Sequence, residues 1–294
     1  MKLRIWIALL AIYVVWGSTY LAIRFVVETM PPFLAAGMRF LISGLILLAW
    51  RMLKGDPKPT RPQWRSATII GLLMLLGGNG GLMWAEQRVP SGVASLFIGS
   101  TPLWMVLLDT FWPGGKRPRL LTWLGVLIGF AGIAFLVGPS DTSLSSPYLD
   151  LAGVAVLLFA ALSWSIGSLY SRNAHLPDSP LLYTGMEMFA GSLGLFAFGT
   201  LVGEWGQLEF ATITTRSLLG LTYLITFGSL VGFVAYTWLL RNAPTPLVAT
   251  YAYVNPLIAI LLGSLLGGEA LTPRVLLSTA IIVGSVVLIN LTRK

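Results

Sequence analysis

Cysteine is absent from the 294 residues, and histidine occurs once, at His175. Without thiols there is no disulfide framework, no thiolate nucleophile and no Cys-ligated zinc. A single imidazole does not build a metal site. Charge is scarce as well: 10% of the residues are Asp, Glu, Lys or Arg, against about 25% in a soluble domain. A chain this poor in charge cannot coat a water-facing surface, which excludes soluble enzymes and disordered proteins. The net charge of +8 does not mark a nucleic-acid binder, because such a protein clusters its bases on one exposed face and here they lie thinly between apolar runs. A G-x-x-x-x-G-K phosphate loop, G-x-S-x-G and H-E-x-x-H are also missing. No cofactor, metal or nucleic-acid partner is expected.

What is present is apolar length. Hydrophobic residues make up 56% of the chain, with a mean hydropathy of +0.82. A helix needs about 20 residues to cross the hydrocarbon core. Ten runs qualify, near 5–27, 33–53, 66–84, 91–112, 120–138, 149–171, 181–202, 217–240, 247–267 and 274–291. They are continuous rather than alternating, so they read as helices, which satisfy their own backbone in lipid. The expected fold is all-α, a polytopic membrane protein of ten transmembrane helices. Lys2 and Arg4 before the first run imitate a signal peptide, but the run is too long, and Trp16 and Tyr20 stand where small residues belong.

Lys and Arg set the orientation. With the N-terminus inside, the inner segments carry Lys2, Arg4, Arg51, Lys54, Lys58, Arg61, Arg65, Lys116, Arg117, Arg119, Arg172, Arg241, Arg293 and Lys294; the outer segments carry only Arg24, Arg88, Arg216 and Arg274. Both termini are therefore expected in the cytoplasm, and an even number of spans is expected with them.

The two halves resemble each other. At an offset of 148, Trp16 falls on Trp164, Arg24 on Arg172, Pro32 on Pro180, Gly37 on Gly185 and Met38 on Met186. At an offset of 154, Gly78 falls on Gly232, Trp84 on Trp238, Pro90 on Pro244 and Pro102 on Pro256. Hydropathy alone does not place Trp and Pro in register. Two five-helix repeats follow, 1–140 and 141–294. An odd helix number inverts the second relative to the first, as in secondary transporters whose substrate site lies near the midplane between halves.

Trp16-Gly17-Ser18 with Arg24, and Val254-Asn255-Pro256-Leu257 followed by Gly268-Glu269 and a Gly284-bearing last helix, resemble EamA-type exporters of the drug/metabolite transporter superfamily. Within it the chain looks most like the YddG-like amino-acid exporters. The resemblance covers the whole chain and implies an inner-membrane exporter of amino acids or similar small metabolites, working as a monomer among membrane lipids by alternating access. An exporter of drugs or lipid-linked sugars on the same fold stands beside it, and an integral-membrane lipid-modifying enzyme further off. One departure from the family pattern is Gly114-Gly115-Lys116, where the first repeat lacks the acid that Glu269 supplies in the second.

Ionisable residues inside spans are functional candidates. Arg39 and Glu187 occupy matched positions in helices 2 and 7. Each lies about seven residues, roughly 10 Å, from opposite faces of a core about 30 Å thick, so no direct salt bridge is expected. Each is expected to snorkel, bind backbone carbonyls or line a vestibule. Asp109 is expected to pair with Lys116 or Arg117 at the interface, and Glu86 and Arg88 to be solvated at the outer end of helix 3. Asn79, within Gly77-Gly78-Asn79-Gly80-Gly81, reads either as a polar group on a cavity or as a bond to another helix. Pro102, after Thr101, and Pro256, after Asn255, each free a carbonyl four residues back, of Ile98 and Ala252, for substrate or for a hinge. Trp16, Trp164, Phe97, Tyr251, Met83 and Tyr253 are candidate walls of an amphipathic pocket, where aromatic faces hold ammonium groups. Gly125 and Gly129 form a close-packing face.

Overall fold

The computed structural model describes residues 2–112, 118–137, 150–243, 245–248 and 250–292. Nine helices there are long and apolar enough to cross a membrane: α1 (Leu3–Val27), α2 (Pro32–Leu53), α3 (Arg61–Ala85), α4 (Ser91–Phe111), α5 (Leu120–Val137), α6 (Leu151–Ser171), α7 (Pro180–Leu201), α8 (Thr215–Leu239) and α10 (Pro273–Leu291). The remaining apolar helix, α9 (Tyr251–Gly267), has 17 residues and follows a short turn of helix, Thr245–Val248. Lys116, Arg117 and the Gly114-Gly115-Lys116 departure lie outside the described residues.

Helix starts are written in the sequence. Pro occupies the first turn of α2 and α7, where its missing N–H is not needed. Thr60 and Gln63 form a capping box at α3. The Asp150 carboxylate accepts from the Ala152 and Gly153 amides at α6.

Two further acids reach between halves. Glu204, after α7, accepts from the Phe33 and Leu34 amides at the start of α2, at 3.1 and 2.8 Å. Asp56, after α2, is hydrogen-bonded to Ser179, immediately before α7. Positions 56 and 204 are again 148 apart, so each repeat anchors the other's second helix. The Arg51 guanidinium holds the Asp56 carboxyl below the usual range, helped by the Ser179 bond.

The packing carries the same internal symmetry. Repeat mates lie against each other, α2 on α7, α4 on α9 and α5 on α10. The first helix of each half instead crosses over: α1 packs on α8 and α9, and α6 on α3 and α4. Small residues permit these approaches. A methyl group at Gly44 of α2 would come within 3.0 Å of the Gly185 carbonyl on α7. Gly125, Gly129 and Gly132 of α5 meet Ile289, Ser285 and Ile281 of α10. That glycine face therefore packs internally.

Candidate functional site

The middle of the bundle is built around two departures from α-helical geometry. Leu72–Gly80 in α3 and Leu224–Val231 in α8 wind as wider π-type turns. Such turns release carbonyls from the i−4 ladder and recur at functional sites. Here side chains from other helices take up the slack. Ser163 of α6 donates to the Leu73 carbonyl at 2.6 Å. Trp16 Nε1 of α1 donates to the Gly228 carbonyl at 3.2 Å. The two tryptophans are held alike: Trp16 packs on Gly232, where a methyl group would collide with its Nε1, and Trp164 packs on Gly78, where a methyl would lie 3.0 Å from its ring. Each repeat thus lends its tryptophan to the other repeat's widened helix by the same Trp–Gly contact.

A small cavity lies beside this frame, lined by Ile70, Met74, Trp164, Thr184, Glu187 and Phe233 among others. Its free space of about 10 Å³ suits roughly one water. Glu187 is positioned by tight backbone contact, since Gly71 of α3 sits against the Glu187 carbonyl, and Gly191 against Gly71. No hydrogen bond or ion pair to its carboxylate occurs among the described residues. A carboxylate at this depth without a partner is costly, and an ammonium between the Trp164 and Phe233 rings would satisfy it. Phe233 joins the two aromatic walls: its ring centroid lies 5.6 Å from that of Trp16, and it faces the cavity with Trp164. Sequence reasoning did not single out Phe233. Its position after Gly232, at the offset that matches Asn79, was the available signal.

The other candidates are distributed unevenly. Trp16 and Tyr251 meet edge to face at 5.1 Å, with Tyr236 against both. Met83 and Phe97 are fully buried in the hydrophobic core and do not line the Glu187 cavity. Asn79 turns back on its own helix, donating to the Met74 carbonyl at 3.4 Å. The surrounding glycines leave no void: Gly77 meets Ser163 and Gly80 meets Leu195 and Phe33. The Ile98 carbonyl freed by Pro102 is occupied, because the Thr101 hydroxyl donates to it at 2.6 Å. α4 breaks at Ser100 just before this proline, and Gly99 lies against Pro256, so the two prolines mark the crossing of α4 and α9. Asn255 is buried and its Oδ1 has no partner. Tyr253 is half-buried and packs against the core.

Two expectations are revised. Arg39 neither snorkels nor binds a carbonyl; its Nε–H donates to the Ser229 hydroxyl at 3.0 Å. It makes no ion pair with Glu187, as their depths required. Asp109 pairs with Arg172 of α6 at 2.7 Å, and its expected partners Lys116 and Arg117 lie outside the described residues. Glu86 is not solvated: it is 0% exposed. Arg88 is exposed as expected, lies on the Trp84 ring and faces Asp150. Glu269, whose charge acts on Glu86, accepts from the Ser91 and Gly92 amides of α4 at 2.6 and 2.9 Å.

Comparison with known proteins follows the same outline. The profile of the EamA-like transporter family matches the chain twice, over residues 3–138 and 151–291. YedA of Escherichia coli (strain K12), described as an uncharacterized inner membrane transporter, is 39% identical over 285 residues, covering 97% of this chain and 90% of its own. The protein PagO of Salmonella typhimurium is 26% identical, with 96% and 92% coverage. A chloroplastic WAT1-related protein of Arabidopsis thaliana is 28% identical, with 97% and 69% coverage. A solved crystal structure superposes with a TM-score of 0.66 over 99% of this chain and 98% of that one at 23% identity, and so shares the fold.

Proposed function

Because the chain belongs to the EamA-like transporter family of the drug/metabolite transporter superfamily, we propose that it exports amino acids, aromatic or other neutral ones among them, or similar small metabolites, across the bacterial inner membrane by alternating access. The unpaired Glu187 carboxylate between Trp164 and Phe233 carries this reading. It offers an ammonium group a counter-charge and two aromatic walls at the contact between halves. Rocking one half against the other would open this space to one side at a time, with the Pro102–Pro256 crossing as the pivot. The excess of Lys and Arg on the terminal side supports cytoplasmic termini.

A second reading, export of an apolar drug, is favoured by a different feature. A wholly apolar groove of about 490 Å³, lined by Ile46, Trp50, Leu230, Val234 and Trp238 among others, opens between α1, α2 and α8. Uptake by the purified chain in liposomes separates the two. Saturable flux across an amino-acid panel, measured with and without a pH gradient, is the expected result. Flux of apolar cations with no amino-acid flux would favour the second reading, and lipid turnover without flux would overturn both.

A further inference from the structure

Arg39 is a buried cation without an anion among the described residues. It is 4% exposed and lies two turns into α2. A guanidinium has five N–H donors in a planar fork and stays ionised. One of these, Nε–H, is used by Ser229, and the group's face rests on Phe40 at 4.7 Å. Its Nη1 is buried with no partner, and no carboxylate pairs with it among the described residues. Buried cations elsewhere in the chain are spent on structure: Arg274, 5% exposed, donates to the Phe135 carbonyl at 2.8 Å. An unpaired buried charge is costly, and an anion beside it would offset that cost.

The surroundings say which one. Arg39 Nη2 lies against Gly228, as does Thr19, so the guanidinium sits where α1 and α2 of the first half meet the widened turn of α8 in the second. A single cation neutralises a single negative charge, and the planar fork matches a carboxylate; a dianionic phosphate would need a second base. Building on the transporter reading above, we infer that Arg39 is the subsite for the carboxylate of the transported metabolite, separate from the ammonium subsite at Glu187.

Probes with one charged end each test this on the purified full-length chain: L-phenylalanine, 3-phenylpropionate (carboxylate only) and phenethylamine (ammonium only), with affinities measured by calorimetry. Wild type is expected to bind the two carboxylate probes. Arg39→Gln is expected to weaken both at least about tenfold, or ~1.4 kcal/mol, and to leave phenethylamine within about twofold. Arg39→Lys, which keeps the charge and loses the fork, is expected to fall between and serves if Arg39→Gln does not fold. Equal loss of all three probes in both variants would mean a structural role and overturn the inference. So would wild type that binds neither carboxylate probe, or an Arg39→Lys protein with unchanged carboxylate affinity. Arg39-dependent binding of 3-phenylpropionate with no amino-acid flux would refute the exporter reading alone.

Discussion

A buried carboxyl without hydrogen-bond partners is held as the neutral acid, and Glu86 is such a group. Both of its oxygens are unpartnered. Burial pushes the carboxyl well above the ordinary range, the Glu269 carboxylate pushes it further, and Arg24 opposes them. Arg24 spends an N–H on the Glu86 backbone carbonyl at 2.6 Å rather than on its carboxylate, and Tyr20 lies near it. The folded state then keeps a proton that the unfolded chain releases. The stabilisation is fully present below the ordinary carboxylate range and is lost as pH rises through the higher folded value. The melting temperature is therefore expected to fall as pH rises above the ordinary carboxylate range. Glu86→Gln, which imitates the neutral acid, is expected to flatten that fall. An unchanged slope in thermal unfolding would mean that Glu86 ionises freely. Gly232→Ala tests the Trp16 contact. The added methyl forces the indole off the Gly228 carbonyl, at an expected cost of about 1–3 kcal/mol, read by chemical unfolding in detergent. Full stability would show that Trp16 yields without loss.

At the scale of the element, the widened turns of α3 and α8 depend on side chains lent by other helices. Removing the Ser163 hydroxyl leaves the Leu73 carbonyl short of a donor, so Ser163→Ala is expected to cost about 1 kcal/mol and to speed amide exchange across 72–80. Exchange confined to wild-type rates would place the support elsewhere. Much of each helix was legible in the sequence, because continuous apolar runs, first-turn prolines and the Thr60–Gln63 box act locally. The π-type turns were not, since a run such as Leu72-Leu73-Met74-Leu75 carries no mark of its winding. The Gly77–Gly81 cluster shows the same limit: glycine signals close approach or open space equally, and only the arrival of Ser163, Trp164 and Leu195 decides. Glu86 was misplaced for a related reason, as groups that act on it come from far along the chain, Glu269 among them, 183 residues away.

The whole molecule repeats itself in sequence and in space. The offsets that align Trp16 with Trp164 and Gly78 with Gly232 also align the loop acids Asp56 and Glu204, which cap reciprocal helices. The architecture was therefore readable before any coordinates, whereas Phe233 was not, because its importance comes from facing two tryptophans in different halves. On the proposed function, Glu187 is the group on which substrate recognition turns. Counterflow of L-phenylalanine and a neutral amino-acid panel in liposomes, with wild type, Glu187→Gln and Glu187→Asp compared at equal incorporation, tests that most directly. The account predicts saturable exchange by wild type, at least about tenfold less with Glu187→Gln and partial recovery with Glu187→Asp. Equal exchange by wild type and a correctly folded Glu187→Gln protein would contradict it.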